Sequence, residues 1–265
     1  MITFFTIPKP FDGHIGIIQR NALRSWLRVA PDAQVIAIGE RAAEPGIEDL
    51  AEVARNDHGT PLLDDAFRLA HERARHDVLC FCNTDILLPV TLAAAVRTIR
   101  TRAPFLVVGE CRDVRVDTEL GDGHWPSGGR RRGADALDYF VFSRGLYDDV
   151  PPFAAGRPAF DNWLVWRARS EGATVVDATW AIAALHQAHS YAHVGSLRER
   201  SSSVEAEENR RLVGGGRERL YSRFDATHRL VGGMLVSNPL AAGHSGETIR
   251  RAWAKVAYAT GLRTR

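Results

Sequence analysis

Three consecutive polar residues, Asn83-Thr84-Asp85, follow directly after an apolar stretch of this 265-residue chain. The stretch before them, Asp77 to Cys82, has the composition of a buried strand. Side-chain oxygens two residues apart at the end of a strand can be directed at one hard cation, and Mg²⁺ and Mn²⁺ prefer oxygen ligands. The sequence therefore predicts a divalent metal site at Asn83-Thr84-Asp85, with Mn²⁺ or Mg²⁺ as the cofactor.

A second group with metal-binding chemistry is the triplet His186, His189 and His193, spaced three and four residues apart. On a helix this spacing would place all three imidazoles on one face, where they could bind zinc. No glutamate accompanies them in a His-Glu-x-x-His arrangement, and Ser190-Tyr191 favours a loop over a helix. A zinc-dependent hydrolase that uses His186, His189 and His193 therefore remains an alternative interpretation.

The first 110 residues alternate between apolar runs of strand length and segments in which apolar residues have helical spacing. Predicted strands cover residues 2–7, 35–38, 77–82 and 105–109, and predicted helices cover residues 15–29, 60–75 and 90–100. In the second of these helices, Thr60 is the expected N-cap and Pro61 the expected first helical residue. Strands joined through helices form parallel sheets, which indicates an α/β fold with a mostly parallel central sheet flanked by helices.

The second half of the chain is less regular. Residues 112–136 are polar and rich in glycine and arginine, which predicts a mobile loop over a site. A strand at 139–142, a helix at 160–169 and a strand at 173–177 are predicted to follow. Beyond Ser196 the chain reads as mostly helical and charged. We therefore expect one α/β domain over residues 1–195, with a mostly helical C-terminal extension, residues 196–265, packed on it.

Composition limits the functional classes. The chain has 34 Lys and Arg against 32 Asp and Glu, a formal net charge of +2, which is too balanced for a duplex nucleic acid partner. An odd number of cysteines (Cys80, Cys82 and Cys111) and a strand-like amino terminus favour buried free thiols in a reducing compartment. No apolar stretch approaches the ~20 residues of a transmembrane helix. We expect a cytoplasmic protein that is at most peripheral to the inner membrane.

Ligands of open α/β sheets bind beyond the carboxyl ends of the strands. In this chain the polar residues that follow predicted strands are Lys9, Glu40, the segment Asn83-Thr84-Asp85, and the pair Asp148-Asp149. We expect these residues to lie at the ligand-binding edge of the sheet.

At these positions the chain resembles the GT-A nucleotide-diphospho-sugar transferases, related to family 2 glycosyltransferases, whose Asp-x-Asp motif corresponds to Asn83-Thr84-Asp85. The resemblance covers residues 2–193 and implies a GT-A, Rossmann-like fold. It also implies a set of donor contacts along the chain. These are Thr6, Ile7, Pro8, Lys9, Glu40, Asn56, Gly59, Thr60, Asn83, Thr84, Asp85 and Asn162.

The same resemblance implies the catalytic and metal-binding residues. The family has a carboxylate at the start of a helix against the acceptor, so Asp161 is the candidate base that takes the proton of the acceptor hydroxyl in an inverting transfer. Asp161 could equally cap that helix. Asp138 is the second candidate catalytic carboxylate, in contact with the donor or acceptor sugar. A late histidine commonly joins the metal, so His186 and His189 are candidate ligands together with Asp85. Asn83 stands where the family usually has Asp, which leaves Asp85 as the direct ligand.

These observations predict a metal-dependent glycosyltransferase that moves a sugar from a nucleoside diphosphate sugar, with a UDP-sugar favoured, to a hydroxyl acceptor. The acceptor would be a saccharide, a lipid-linked molecule or a small molecule. A non-catalytic nucleotide-sugar or carbohydrate-binding protein is an alternative, beside the zinc hydrolase. Lys9 between two prolines does not resemble the glycine-rich phosphate loop of a sugar-nucleotide pyrophosphorylase.

Overall fold

The structure of the chain, a computed structural model, describes residues 2–121, 125–133, 136–189 and 202–241. The strands within these ranges are β1 (Thr3–Thr6), β2 (Gln34–Ile38), β3 (Ile47–Leu50), β4 (Val78–Cys82), β5 (Ile86–Leu87), β6 (Phe105–Val108), β7 (Arg112–Val114), β8 (Arg130–Arg131), β9 (Tyr139–Ser143), β10 (Thr174–Asp177), β11 (Leu185–Gln187), β12 (His228–Val231) and β13 (Met234–Ser237). The α-helices are α1 (Gly13–Leu27), α2 (Leu63–Arg73), α3 (Thr91–Ile99), α4 (Phe160–Ser170) and α5 (Val204–Leu212), with 3-10 turns at Arg100–Arg102, Gly216–Arg219, Arg223–Asp225 and Pro239–Ala241.

The main sheet has nine strands in the order β13-β12-β10-β6-β9-β4-β1-β2-β3. β9 runs antiparallel to both of its neighbours, and the edge strand β13 runs antiparallel to β12, whereas the remaining pairs are parallel. The sequence-based prediction of a mostly parallel α/β sheet is therefore confirmed. Its first four predicted strands correspond to β1, β2, β4 and β6.

Successive residues of a strand point to opposite faces of the sheet, so the buried strands present apolar side chains on both faces. Helices cover both of these faces. On one face Phe5 and Phe81 pack with Phe67 of α2, in a cluster that also contains α4. On the other face Phe4 stacks on Trp26 of α1 at 5.8 Å between ring centroids, in a cluster that also contains α3. The three cysteines are buried and free, as the sequence predicts.

A smaller sheet, with the strand order β5-β11-β7-β8, contains part of the segment predicted to be a mobile loop. β7 and β8 pair antiparallel, with Asp113 opposite Arg130. The prediction of a loop over all of 112–136 is therefore wrong for these strands, whose polar, arginine-rich sequences carry no apolar alternation. Gly129 precedes β8 with φ +97°, a conformation that L side chains rarely adopt.

Helix α2 starts later than the sequence predicts. Pro61 and Leu62 form isolated β-bridges with Arg55 and Ala154, so the chain stays extended through Leu62 and the helix begins at Leu63. Thr60 is therefore not the N-cap, and the prediction is wrong at this point. Tertiary pairing overrides the local Thr-Pro signal, which is typical of an N-terminus but does not fix one.

The C-terminal part combines helical and strand elements in its described residues, 202–241. Besides α5, its described residues form β12 and β13, and β12 pairs with β10 in the main sheet. The two strands are joined by Gly232 and Gly233 at φ +56° and +78°, which is the glycine pair that a two-residue hairpin favours. The prediction of a mostly helical extension over residues 196–265 therefore misses this hairpin in the described part, and the rest of the extension lies outside the described residues. His193 and the boundary proposed between residues 195 and 196 lie outside the described residues.

In the described part of the chain, no helix combines the length and the apolar character that crossing a membrane requires.

Candidate active site

A cavity of ≈ 400 Å³ lies at the carboxyl ends of β1 and β4. It is lined by residues that the sequence analysis assigned to donor binding, to catalysis and to metal binding. The predicted residues that line it are Thr6, Ile7, Lys9, Asn83, Thr84, Asp85, Asp138, Asp161, His186 and His189. The fold thus brings both candidate catalytic carboxylates and all three candidate metal ligands to one cavity.

Asp85, His186 and His189 form a compact group of potential ligand atoms, all within 4.8 Å of one another. The Nε2 atoms of His186 and His189 lie 3.3 and 3.2 Å from Oδ2 of Asp85. Pairing of β11 with β5 places His186 opposite Ile86, the residue after Asp85. The backbone N–H of Gln187 also donates to the carbonyl of Asp85 at 2.9 Å, so the small sheet fixes the distance between these residues.

The electrostatics of this group favour a charged carboxylate. Burial would raise the pKa of the Asp85 carboxyl, but hydrogen bonds and positive charge from His186 and His189 outweigh burial and hold the pKa well below its usual range. Burial lowers the pKa of His186, and Asp85 more than reverses that effect, so the pKa is raised. Oδ1 of Asp85 is buried and has no hydrogen-bond partner among the described residues. Two imidazoles and an ionised carboxylate with an unused oxygen suit a divalent cation.

Asp113 is a site residue that the sequence analysis did not find. Its Oδ1 lies 2.8 Å from Nδ1 of His186, the ring nitrogen that faces away from Asp85. The contact follows from the parallel pairing of β7 with β11, in which Asp113 is opposite His186. The only local signal was an acidic residue in a polar segment, and nothing in the sequence shows that pairing.

Asn83 and Asp138 form a second polar group in the cavity. Nδ2 of Asn83 donates to Oδ1 of Asp138 at 3.1 Å, and Nη1 of Arg132 donates to Oδ2 of Asp138 at 3.0 Å. Burial raises the pKa of the Asp138 carboxyl, against the opposing effect of Arg132, and the charge of Asp85 raises it further. The side chain at position 83 is therefore an amide held by a neighbouring carboxylate.

Asp161 lies in the first turn of α4, but it does not occupy the N-cap position. Ala159 is the N-cap, with a left-handed φ of +91°, which is strained for a residue that carries a Cβ. Oδ1 of Asp161 is buried and has no hydrogen-bond partner among the described residues. Burial, together with the charge of Asp138, raises the pKa of Asp161 to about 7, although backbone N–H groups at the helix start lower it. A carboxyl group with these properties can exchange a proton near neutral pH.

The loop between β1 and α1 is held at the cavity by short hydrogen bonds. The hydroxyls of Thr6 and Thr84 lie 2.8 Å apart, which joins the ends of β1 and β4. Gln19 of α1 accepts from the backbone N–H of Lys9 at 2.7 Å and donates to the Lys9 carbonyl at 2.8 Å. The backbone of Lys9 is therefore held in place while its side chain lines the cavity.

Several predicted donor contacts do not line this cavity. They are Pro8, Glu40, Asn56, Gly59, Thr60 and Asn162. Oδ1 of Asn56 accepts the backbone N–H groups of His58 and Thr60, each at 3.0 Å, and therefore stabilises a turn. Nδ2 of Asn162 donates to the carbonyl of Tyr221 at 2.6 Å. Glu40 lies 3.7 Å from Arg55.

The pair Asp148-Asp149 is not at the ligand-binding edge, and that prediction is wrong. Because β9 is antiparallel to its neighbours, its carboxyl end points to the opposite edge of the sheet. Asp149 there accepts a hydrogen bond from Arg167 at 2.7 Å. The residue that β9 brings to the cavity is Asp138, which precedes the strand.

Arg157 is a further cavity residue that the sequence analysis missed. Its Nε donates to Glu205 of α5 at 2.8 Å, and Glu205 also accepts from Nδ2 of Asn56 at the same distance. One wall of the cavity is therefore supported by the C-terminal part of the chain.

Comparisons with known proteins identify related folds only distantly. No family model matches the sequence, and no curated protein matches it. Among solved structures, S. aureus TarS 1–349 in complex with UDP-GlcNAc is 13% identical, with 80% of this chain and 65% of that chain covered and a TM-score of 0.49. A second structure of S. aureus TarS 1–349 is 12% identical, with 63% and 54% covered and a TM-score of 0.40. The chain thus spans less than two thirds of the length of these structures.

Proposed function

We propose that this chain is a metal-dependent glycosyltransferase that moves a sugar from a nucleoside diphosphate sugar to a hydroxyl acceptor with inversion. The observation that carries the proposal is one cavity shared by the group Asp85, His186 and His189 and by Asp161, a carboxyl group with a pKa of about 7. A cation site and a proton acceptor on the same cavity are the two chemical requirements of such a transfer.

Asp85, His186 and His189 would hold the cation, since they supply an ionised oxygen ligand and two imidazole nitrogens within 4.8 Å. When bound, a divalent cation supplies positive charge that stabilises the diphosphate leaving group. Lys9 and Arg132 line the same cavity and add positive charge of the chain itself. Mn²⁺ suits this mixed set of oxygen and nitrogen ligands better than Mg²⁺, which prefers oxygen.

Asp161 would act as the base. In its ionised form it takes the proton of the acceptor hydroxyl while the acceptor oxygen bonds to the anomeric carbon. The bond from that carbon to the diphosphate breaks on the opposite side of the sugar, and its electron pair leaves with the diphosphate oxygen. Asp138, fixed by Asn83 and Arg132, would accept hydrogen bonds from hydroxyl groups of the donor or acceptor sugar.

A thermal-shift panel tests the donor class. The metal-free full-length chain is mixed with Mn²⁺ and UDP, GDP, CDP, ADP or UDP-GlcNAc, because a ligand that binds only the native state raises the Tm. We expect a shift with one nucleotide class that requires Mn²⁺, and we test a UDP compound first. Asp85→Asn should abolish the Mn²⁺-dependent shift. Asp148→Asn, which changes an aspartate near the opposite edge, should leave it intact. No shift with any nucleotide would contradict the proposal.

Asp161→Asn separates catalysis from binding. We expect the nucleotide-dependent Tm shift to persist while nucleotide release in the presence of an acceptor panel falls about 10²–10⁴-fold, the usual contribution of general acid–base catalysis. A non-catalytic nucleotide-sugar-binding protein would instead show no turnover in the wild type.

A zinc-dependent hydrolase remains the second candidate, because one carboxylate and two imidazoles are also a known zinc ligand set. Metal analysis of protein purified without chelators distinguishes the two. Stoichiometric zinc that resists exchange with Mn²⁺ would favour the hydrolase.

A further inference from the structure

Asp113 contacts His186, a candidate metal ligand, at the ring nitrogen that faces away from Asp85. Oδ1 of Asp113 lies 2.8 Å from Nδ1 of His186, whose opposite nitrogen, Nε2, lies 3.3 Å from Asp85. The His186 side chain is 4% exposed, so water does not replace these contacts. Both contacts come from strand pairing, because His186 in β11 is opposite Asp113 on one side and Ile86 on the other.

The chemistry of the two groups assigns the proton. An ionised carboxylate can only accept hydrogen bonds, so the nitrogen that faces Asp113 must carry hydrogen. In a neutral imidazole the other nitrogen, here Nε2, then carries no hydrogen, and its lone pair can bind a metal. Replacing a carboxylate that orients a histidine ligand in this way typically lowers metal affinity 10–100-fold.

We propose that Asp113 is a positioning residue that holds the His186 ring with Nε2 towards Asp85 and thereby strengthens the binding of a divalent cation by Asp85, His186 and His189. The inference rests on the proposed function, because it requires the cation site of that proposal. It extends the site to β7, outside every residue that the sequence analysis selected.

Two arginines also face Asp113, and they define the competing explanation. Nε of Arg132 lies 3.5 Å from Oδ1 of Asp113, and Nη2 of Arg130 lies 3.8 Å from Oδ2. Both distances are longer than the 2.8 Å contact to His186, and Arg132 has a shorter contact with Asp138 at 3.0 Å. The contact with His186 is therefore the shortest of these three.

The test is a Mn²⁺ titration of the metal-free full-length chain without nucleotide, followed by electron paramagnetic resonance of free Mn²⁺. Asp113→Asn keeps the shape of the side chain and removes its charge. Asp117→Asn is the matched control. Asp117 is an exposed aspartate that follows β7, and its Oδ2 lies 2.9 Å from Nε of Arg115. Arg130→Ala removes the weaker arginine contact. We expect Asp113→Asn to weaken Mn²⁺ binding at least 10-fold, whereas Asp117→Asn and Arg130→Ala bind as the wild type does.

A second measurement does not depend on metal. Nitrogen-15 chemical shifts of the His186 ring, assigned with a His186→Gln variant, should show Nδ1 protonated in the wild type and a mixture of ring forms in Asp113→Asn. Equal Mn²⁺ affinity in wild type and Asp113→Asn, or unchanged ring shifts, would overturn the role of Asp113 alone. If the wild type binds no Mn²⁺ at millimolar concentration, the cation site of the proposed function fails as well.

Discussion

At the scale of single residues, Asp161 combines burial with a pKa near neutrality. It does not occupy the N-cap position of α4, its Oδ1 is buried without a hydrogen-bond partner in the described part of the chain, and its pKa is raised to about 7. A carboxyl group in such surroundings lowers stability when it is ionised, and such costs concentrate at functional sites.

The pH dependence of turnover follows from this pKa. If the ionised form of Asp161 is the base, kcat/KM should rise about tenfold per pH unit below pH 7 and level off above it. The measurement is nucleotide release at saturating Mn²⁺ between pH 5.5 and 8.5. A profile that is flat over this range would exclude Asp161 as the group that limits the rate.

The stability of the protein should report the same pKa. The unfolded Asp161 carboxyl loses its proton near pH 4, whereas the folded one keeps it until about pH 7, so ionisation progressively disfavours the native state between these values. Asp161→Asn lacks this dependence. The free energy of unfolding of Asp161→Asn, relative to that of the wild type, should therefore increase from pH 4 to pH 7 and then remain constant, as measured by urea denaturation. A constant difference across this range would show that the pKa is not raised.

At the scale of secondary structure elements, the sequence predicts where the buried strands lie in the chain. It does not predict the direction of a strand or the strand with which it pairs. The apolar runs of β1, β2, β4 and β6 were identified because each is buried on both faces, and Asp85 at the end of β4 was identified with them. The direction of β9 carries no sequence signal, so Asp148 and Asp149 were placed at the wrong edge. The pairing of β7 with β11 is equally invisible, so Asp113 was missed. Asp85 and the histidines His186 and His189 could be selected from the sequence, because a polar residue after an apolar strand and closely spaced histidines are local patterns.

The two glycines that precede β8 differ in how much room an added methyl group would have. Gly128 and Gly129 both have left-handed φ angles, +82° and +97°, so alanine at either position is strained by about 1–2 kcal/mol. A Cβ on Gly129 would also lie 2.7 Å from the carbonyl of Asp113, whereas a Cβ on Gly128 would meet nothing within 4 Å. We expect Gly129→Ala to lose more stability than Gly128→Ala in urea denaturation and, unlike Gly128→Ala, to weaken Mn²⁺ binding. Equal effects of the two variants would show that β7 tolerates the displacement.

At the scale of the whole molecule, the C-terminal part is joined to the main sheet by buried charges. Arg223 donates to Asp177 at 2.9 Å and to Glu110 at 3.2 Å, and both carboxylates lie at the ends of sheet strands. β12 then pairs directly with β10. The described residues 202–241 therefore pack against the same sheet whose strand ends form the cavity.

Removal of Arg223 should destabilise the entire fold. Arg223→Ala leaves Asp177 and Glu110 buried with less compensating charge, although Arg131 remains 3.6 Å from Glu110. Breaking a buried pair in this way typically costs about 3–5 kcal/mol. Arg211→Ala removes an exposed pair with Glu208 and should change the free energy of unfolding far less than Arg223→Ala does, because solvent screens exposed charges. Urea denaturation of both variants provides the comparison, and similar losses would contradict the buried role of Arg223.

The hydrogen bond between Arg157 and Glu205 joins a cavity wall to a helix that is distant in sequence. Because neither side chain belongs to the group Asp85, His186 and His189, substitutions in α5 can reshape this wall of the cavity and leave that group unchanged. Under the proposed function, a change of substrate would then require substitutions only in the last quarter of the chain.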